Sequence, residues 1–187
     1  QAFSDTFTTS MSVLPKRNYL IVHPANISVK PFGGLVELLG AIPIPGNVTA
    51  TKKFMDVIED RVVNKKQSIT IYPEAHIWPY YTGIRNFKAV SFTYPIKLNK
   101  PVFCVTNTYQ KNNNSFKVKM VSYIDGPFYP DMNLSKKDAQ KKLRDMVYEK
   151  MVERARNSNV EVVKYIKNID NLTNMNDNSN VEKSERN

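Results

Sequence analysis

Cysteine is almost absent. Cys104 is the single one among 187 residues, and one thiol cannot close an intrachain disulfide. It lies in the apolar run Val102-Phe103-Cys104-Val105, where it reads as a buried core thiol, and nothing in its use implies an oxidising compartment. Glycine is scarce, with six residues, and no glycine-rich phosphate loop is present. His23, His76 and Cys104 make no zinc-ligand spacing, so no metal is expected. No run reaches the roughly 20 apolar residues of a membrane-crossing helix. The longest apolar stretch, Phe32 to Pro45, is broken by Gly33, Gly34, Glu37, Gly40 and Pro43. The opening residues lack a charged region followed by an apolar one and do not read as a signal peptide. Because the chain begins on Gln1 rather than methionine, sequence upstream of it is expected.

What is present is positive charge. The 27 basic and 17 acidic residues leave +10, which points to a polyanion: nucleic acid, an anionic membrane surface or a phosphorylated substrate. Part of the excess (Lys136, Lys137, Lys141, Lys142, Arg144) solvates one helix. The remainder, including Lys16, Arg17, Lys30, Lys52, Lys53, Arg85 and Lys88, falls near strand ends. No RNA-binding pattern of interleaved aromatics occurs, so nucleic acid is not an expected partner.

The length suits one domain, taken as residues 1–166, followed by a polar, Asn-rich tail over 167–187 that reads as disordered. Strand-like runs at Tyr19 to Val22, Ala41 to Ile44 and Ser68 to Tyr72 alternate with helical patterns. Phe32 to Leu39 is one such pattern. A second, capped by Thr49 or Thr51, runs to about Lys65 with Phe54, Val57, Ile58 and Arg61 or Val62 inward. A weak helix over Ala89 to Leu98 is interrupted at Pro95. Val102 to Thr108 and Phe116 to about Ser122 predict an antiparallel hairpin, and Gly126 to Pro130 a break. Ser135 caps a long helix to about Arg156 whose buried stripe is Ala139, Leu143, Met146, Val147 and Met151. The expected fold is α/β: a mostly parallel central sheet, an antiparallel hairpin at its edge, and helices on both faces.

The most informative stretch runs from Ser68 to Lys88. A strand ends at Pro73 and delivers a carboxylate, Glu74, then an imidazole, His76. Trp78, Pro79, Tyr80 and Tyr81 follow, and then Arg85 and Lys88. Titratable groups just past a buried strand are where α/β proteins keep their chemistry. A proline-rich surface loop with a solvated Glu74 is the alternative.

Three blocks in order resemble the glycerolipid (PlsC-like) acyltransferases. LGAIPIPGN (Leu39–Asn47) resembles the family's G-x-I-F-I-x-R block. TIYPEAH (Thr70–His76) resembles F-P-E-G-T-R, with Phe87-Lys88 matching a downstream F-K. KPVFCVT (Lys100–Thr106) resembles V-P-I-V-P-V. The family's catalytic motif is H-x-x-x-x-D, and the chain opens QAFSD, so the resemblance makes Asp5 the motif aspartate with its histidine one position before Gln1. An N-cap for the Thr6–Met11 turn is the other reading of Asp5.

The resemblance implies a glycerol-3-phosphate acyltransferase-like fold and direct acyl transfer. The histidine takes the proton of the acceptor hydroxyl as it attacks an acyl thioester, and the aspartate orients that histidine. Catalytic Asp5 is then joined by acceptor-binding Glu74, Ala75, His76, Gly46, Asn47, Arg85 and Lys88. The co-substrate is acyl-CoA or an acyl carrier protein thioester, with no other cofactor. The acceptor is a lysophospholipid or glycerol-phosphate-type hydroxyl, and the location is the cytoplasmic face of the membrane. The chain departs from the pattern at Ala75, His76 and Ile77, which stand where the family has Gly, Thr and Arg. Gly46-Asn47 likewise replaces the second block's arginine. Lys52, Lys53, Arg85, Lys88 and His76 are the candidates for the missing phosphate grip, although His76 could instead pack on Trp78. His23, beyond the first strand, has no aspartate at motif spacing. On this reading the chain as numbered is inactive for want of its base. A noncatalytic, basic, membrane-surface protein on the same scaffold is the alternative.

Overall fold

The structure is a computed structural model that describes residues 9–24, 40–75, 78–113 and 117–166. The helix expected over Phe32 to Leu39, the residues around Phe116 and the 167–187 tail lie outside the described residues.

Three short strands form a parallel sheet. β1 (Asn18–Val22) is central, flanked by β2 (Ala41–Pro43) and β3 (Ser68–Thr70) in the order β2-β1-β3. The register pairs Leu20 with Ala41 on one side and with Thr70 on the other. Asn18 to Ile21 are all buried, as the unbroken run Tyr-Leu-Ile requires of a central strand covered on both faces. β2 can begin only because residue 40 is glycine. Its φ is +98°, and a Cβ there would stand 2.9 Å from the Asn18 carbonyl.

Helix α1 (Val48–Glu59), extended by a π turn over Asp60–Asn64, covers one face of this sheet. Phe54 and Ile58 pack with Ile21, Ile42, Ile69 and Ile71, and Val62 continues the i, i+4, i+8 stripe. Two expectations are corrected. The cap is Asn47, which has an extended backbone and whose Oδ1 accepts the Ala50 N–H at 2.8 Å. Thr51 instead donates its hydroxyl to the Asn47 carbonyl. Val57 is 40% exposed, because it lies one position off that narrow stripe.

Beyond Phe87 a 3₁₀ turn, Ala89–Phe92, leads into α2 (Thr93–Leu98). Pro95 falls in the first turn of α2, where a missing N–H costs nothing, so it sits inside the helix rather than breaking it. This short segment serves two cores. Tyr94 and Leu98 pack with the parallel sheet, while Phe92 and Ile96 pack with the C-terminal elements.

β4 (Val102–Gln110) and β5 (Lys119–Phe128) form an antiparallel pair under α3 (Lys136–Ala155). The pair is a sheet of its own, not an edge of the parallel one. Each sheet has a separate core, and α2 contributes to both. β5 also extends into the stretch expected to break it and ends only at Phe128. Gly126, at φ +130°, permits this: a Cβ there would lie 2.8 Å from the Val102 carbonyl. α3 is capped by Ser135, as its sequence predicts, with Oγ accepting the Asp138 N–H. Its buried stripe is Ala139, Leu143, Val147, Met151 and Ala155. Met146 is 38% exposed, because strict i, i+4 spacing leaves it beside the seam. Cys104 is buried in this second core, as expected.

Candidate functional site

In a parallel sheet all strands point the same way, so the chains leaving β1, β2 and β3 emerge along one edge. His23 follows β1, Ile44–Asn47 follow β2, and Ile71–Ala75 follow β3. The ladder persists past the strands on one side, where Ile44 N–H donates to the Val22 carbonyl at 2.9 Å. With strands about 4.8 Å apart, the β2 and β3 exits stand roughly 10 Å from each other across β1.

At the β2 exit, Asn47 has its side chain committed to capping α1. Gly46 is open: a Cβ there would meet nothing within 4 Å. Lys52 and Lys53 are exposed on the following turns of α1.

At the β3 exit the chain turns at Pro73-Glu74, and Ala75 N–H closes the turn on the Tyr72 carbonyl at 3.2 Å. Ala75 has φ +63°, in the left-handed region where glycine is favoured. Glu74 is bound to Arg85. Its Oε2 accepts the Arg85 backbone N–H at 3.0 Å and Nε at 3.3 Å, and its backbone carbonyl accepts Nη2 at 2.9 Å. The pair is largely shielded, with side-chain exposures of 26% and 17%. The Arg85 guanidinium also lies 4.8 Å from the centroid of the Trp78 ring. Phe87 is buried in the second core, so the loop from Tyr72 to Phe87 is anchored at both ends, and Lys88 faces outward.

Glu74, Ala75 and Arg85 are thus brought together. Gly46 and Asn47 lie along the same edge with β1 between, and Lys88 sits beyond the anchored end of the loop. Asp5 and His76 lie outside the described residues. His23 is exposed at the edge. Sequence reading grouped Trp78 and Arg85 in one loop without seeing that the Trp78 ring supports the Arg85 guanidinium, and it missed Tyr165. That ring stacks on Trp78 at 4.9 Å from a distant part of the chain. Its only sequence signal is an aromatic standing alone just before the polar tail.

Among the described residues no three His, Cys, Asp or Glu side chains converge as a metal site would require. No helix among them is long and apolar enough to cross a membrane. A shallow depression lined by Leu134, Asp138, Lys142 and Met146 lies on the outer side of α3 and shares no residue with the strand exits. Compared with protein-family models, curated proteins and solved structures, the chain gives no significant match to any.

Proposed function

We propose that this chain is the core of an acyltransferase with a glycerol-3-phosphate acyltransferase-like fold. It moves a fatty acyl group from a CoA or acyl carrier protein thioester to a lysophospholipid or glycerol-phosphate-type hydroxyl at the cytoplasmic face of a membrane. One observation carries the reading. The blocks LGAIPIPGN and TIYPEAH, similar to consecutive family motifs, leave parallel strands on either side of β1 and open on the same edge. Ligands of α/β sheets bind at that edge. Ala75 adds support: it replaces the family's glycine and holds the positive φ that favours glycine.

In this scheme the histidine of the family motif is the general base and Asp5 orients it. The histidine accepts the acceptor hydroxyl proton as the oxygen attacks the thioester carbonyl, and the thiol of the carrier departs with a proton. Arg85, held by Glu74 and Trp78, supplies positive charge at the acceptor end. Lys52 and Lys53 supply more near the β2 exit.

The test is transfer of radiolabelled acyl groups by the full-length protein. Acyl-CoA and acyl carrier protein serve as donors, with lysophosphatidic acid and glycerol 3-phosphate as acceptors. Ester product is expected, and Asp5→Asn should lower turnover by orders of magnitude without unfolding the domain. No product from any donor and acceptor pair would overturn the reading.

The engagement of Glu74 by Arg85 favours a second reading, a noncatalytic basic protein that binds anionic lipid surfaces on the same scaffold. Binding to anionic vesicles without ester formation would select it.

A further inference from the structure

Residues 157–166 leave α3 and cross back over the molecule. Tyr109 N–H donates to Ser158 Oγ at 3.2 Å, and its carbonyl accepts the N–H groups of Asn159 and Val160 at 3.0 and 3.3 Å. Lys111 N–H donates to Asn159 Oδ1 at 2.8 Å. These bonds fasten the segment to the end of β4. From there it reaches the loop that follows β3.

Tyr165 makes the contact. Its ring stacks on Trp78 with centroids 4.9 Å apart and planes 15° apart, and meets Tyr81 edge-on at 5.4 Å. Its hydroxyl donates to the Pro79 carbonyl at 2.8 Å. Trp78 and Tyr81 close the third side at 5.2 Å. Rings this close touch one another directly, so the cluster is a closed clamp and not an aromatic cage awaiting a cation.

The clamped ring is the one that carries Arg85, and Arg85 holds Glu74. A continuous set of contacts therefore runs from Tyr165 through Trp78 and Arg85 to Glu74. The loop needs such support. Ala75 and Tyr80 both adopt left-handed backbone, at φ +63° and +61°, which side chains with a Cβ hold only when surrounding contacts compensate. Tyr80 is braced too, with its ring 5.5 Å from Tyr109, the residue to which the segment is fastened.

We infer that residues 157–166 are a strap through which Tyr165 positions Arg85, and with it Glu74, so that the C-terminal end of the domain sets the geometry of the acceptor loop. The assignment of that loop to an acceptor rests on the acyltransferase reading. The coupling of Tyr165 to Arg85 does not.

Trp78 is the only tryptophan in the chain, so its fluorescence reports the strap directly. Acrylamide quenching of Trp78 and tryptic cleavage after Lys164 are compared in wild type, Tyr165→Phe and Tyr165→Ala. Tyr165→Ala should raise both by roughly two- to tenfold, the range expected for losing an aromatic pair. Tyr165→Phe, which keeps the ring, should stay near wild type. A double-mutant cycle of Tyr165→Ala with Arg85→Gln, read by urea unfolding, should be non-additive. If Tyr165→Ala fails to fold, Tyr165→Leu replaces it. Unchanged quenching in the ring-deleted variant, or strictly additive effects in the cycle, would overturn the inference. Where acyl transfer is detected, loss of the ring should raise the acceptor KM several-fold and leave kcat little changed; an unchanged KM also counts against positioning. Coupling without acyl transfer would leave the strap standing and remove the acyltransferase reading alone.

Discussion

Glu74 and Arg85, eleven residues apart, are joined at both backbone and side chain. The carboxylate accepts the backbone N–H and Nε of Arg85, while the guanidinium returns a bond to the Glu74 carbonyl. The carboxylate past the third strand is thus a brace for a cation.

Arg85→Lys keeps the charge and loses the planar fork. It should destabilise the domain by about 1.5–3 kcal/mol, the range for hydrogen bonds to charged groups, seen as a lower urea midpoint at unchanged m-value. Glu74→Ala should cost a similar amount and, on the acyltransferase reading, chiefly impair acceptor use. Wild-type midpoints for both variants would mean that the brace contributes nothing.

Gly46 and Asn47 separate structure from chemistry at the second strand's exit. Asn47→Ala removes the cap of α1 and should cost about 1 kcal/mol, measurable by thermal unfolding. Gly46→Ala places its Cβ in open space and should leave the melting temperature unchanged. A loss of activity in that variant would then report close approach of a ligand to residue 46.

Arg154 grips Asp125 with Nε at 3.1 and 2.9 Å and Nη2 at 2.6 Å, tying α3 to β5. These hydrogen bonds hold the Asp125 carboxyl below the ordinary carboxylate range. A depressed folded-state value contributes stability above the unfolded value, near 3.9, and loses it as pH falls through the folded one. Asp125→Asn should therefore be less stable than wild type at pH 7. The gap between their urea midpoints should narrow only below about pH 4. A gap that stays constant to pH 2 would assign the cost of the variant to packing.

Burial pushes the Cys104 thiol up to about 11, reinforced by the Asp125 carboxylate paired across the strands. The thiol should resist aromatic disulfide reagents at pH 8 in the folded protein and react promptly in urea. A raised folded value keeps the proton on the native state. Stability from this group is therefore full below the unfolded thiol value of about 8.5 and falls as pH rises towards 11. Rapid labelling of the native protein would contradict its burial.

Much of the local structure was legible. Ser135 as a cap, then apolar residues at every fourth position, names α3 and four of its five buried residues. The runs Tyr19 to Val22 and Val102 to Thr108 name β1 and most of β4. The cap of α1 was misread because Asn47 competes with two threonines nearby, and only backbone angles distinguish them. Val57 and Met146 were misread because the seam between helix and sheet is narrower than a helical wheel suggests. At the candidate site, Glu74 and Arg85 were legible as residues of interest but not as partners.

By itself the sequence determined what depends on neighbours a few positions apart: the periodicity of strands and helices, the cap at Ser135, the apolar setting of Cys104 and the positive charge. Only the tertiary structure decided that the hairpin is a separate sheet. It also decided that α2 serves two cores, that Glu74 is spent on Arg85, and that Tyr165 lies against a loop 86 residues earlier. Periodicity records which face of an element is apolar. It carries no distance between elements, and contacts across such separations exist only once the whole chain has taken its path.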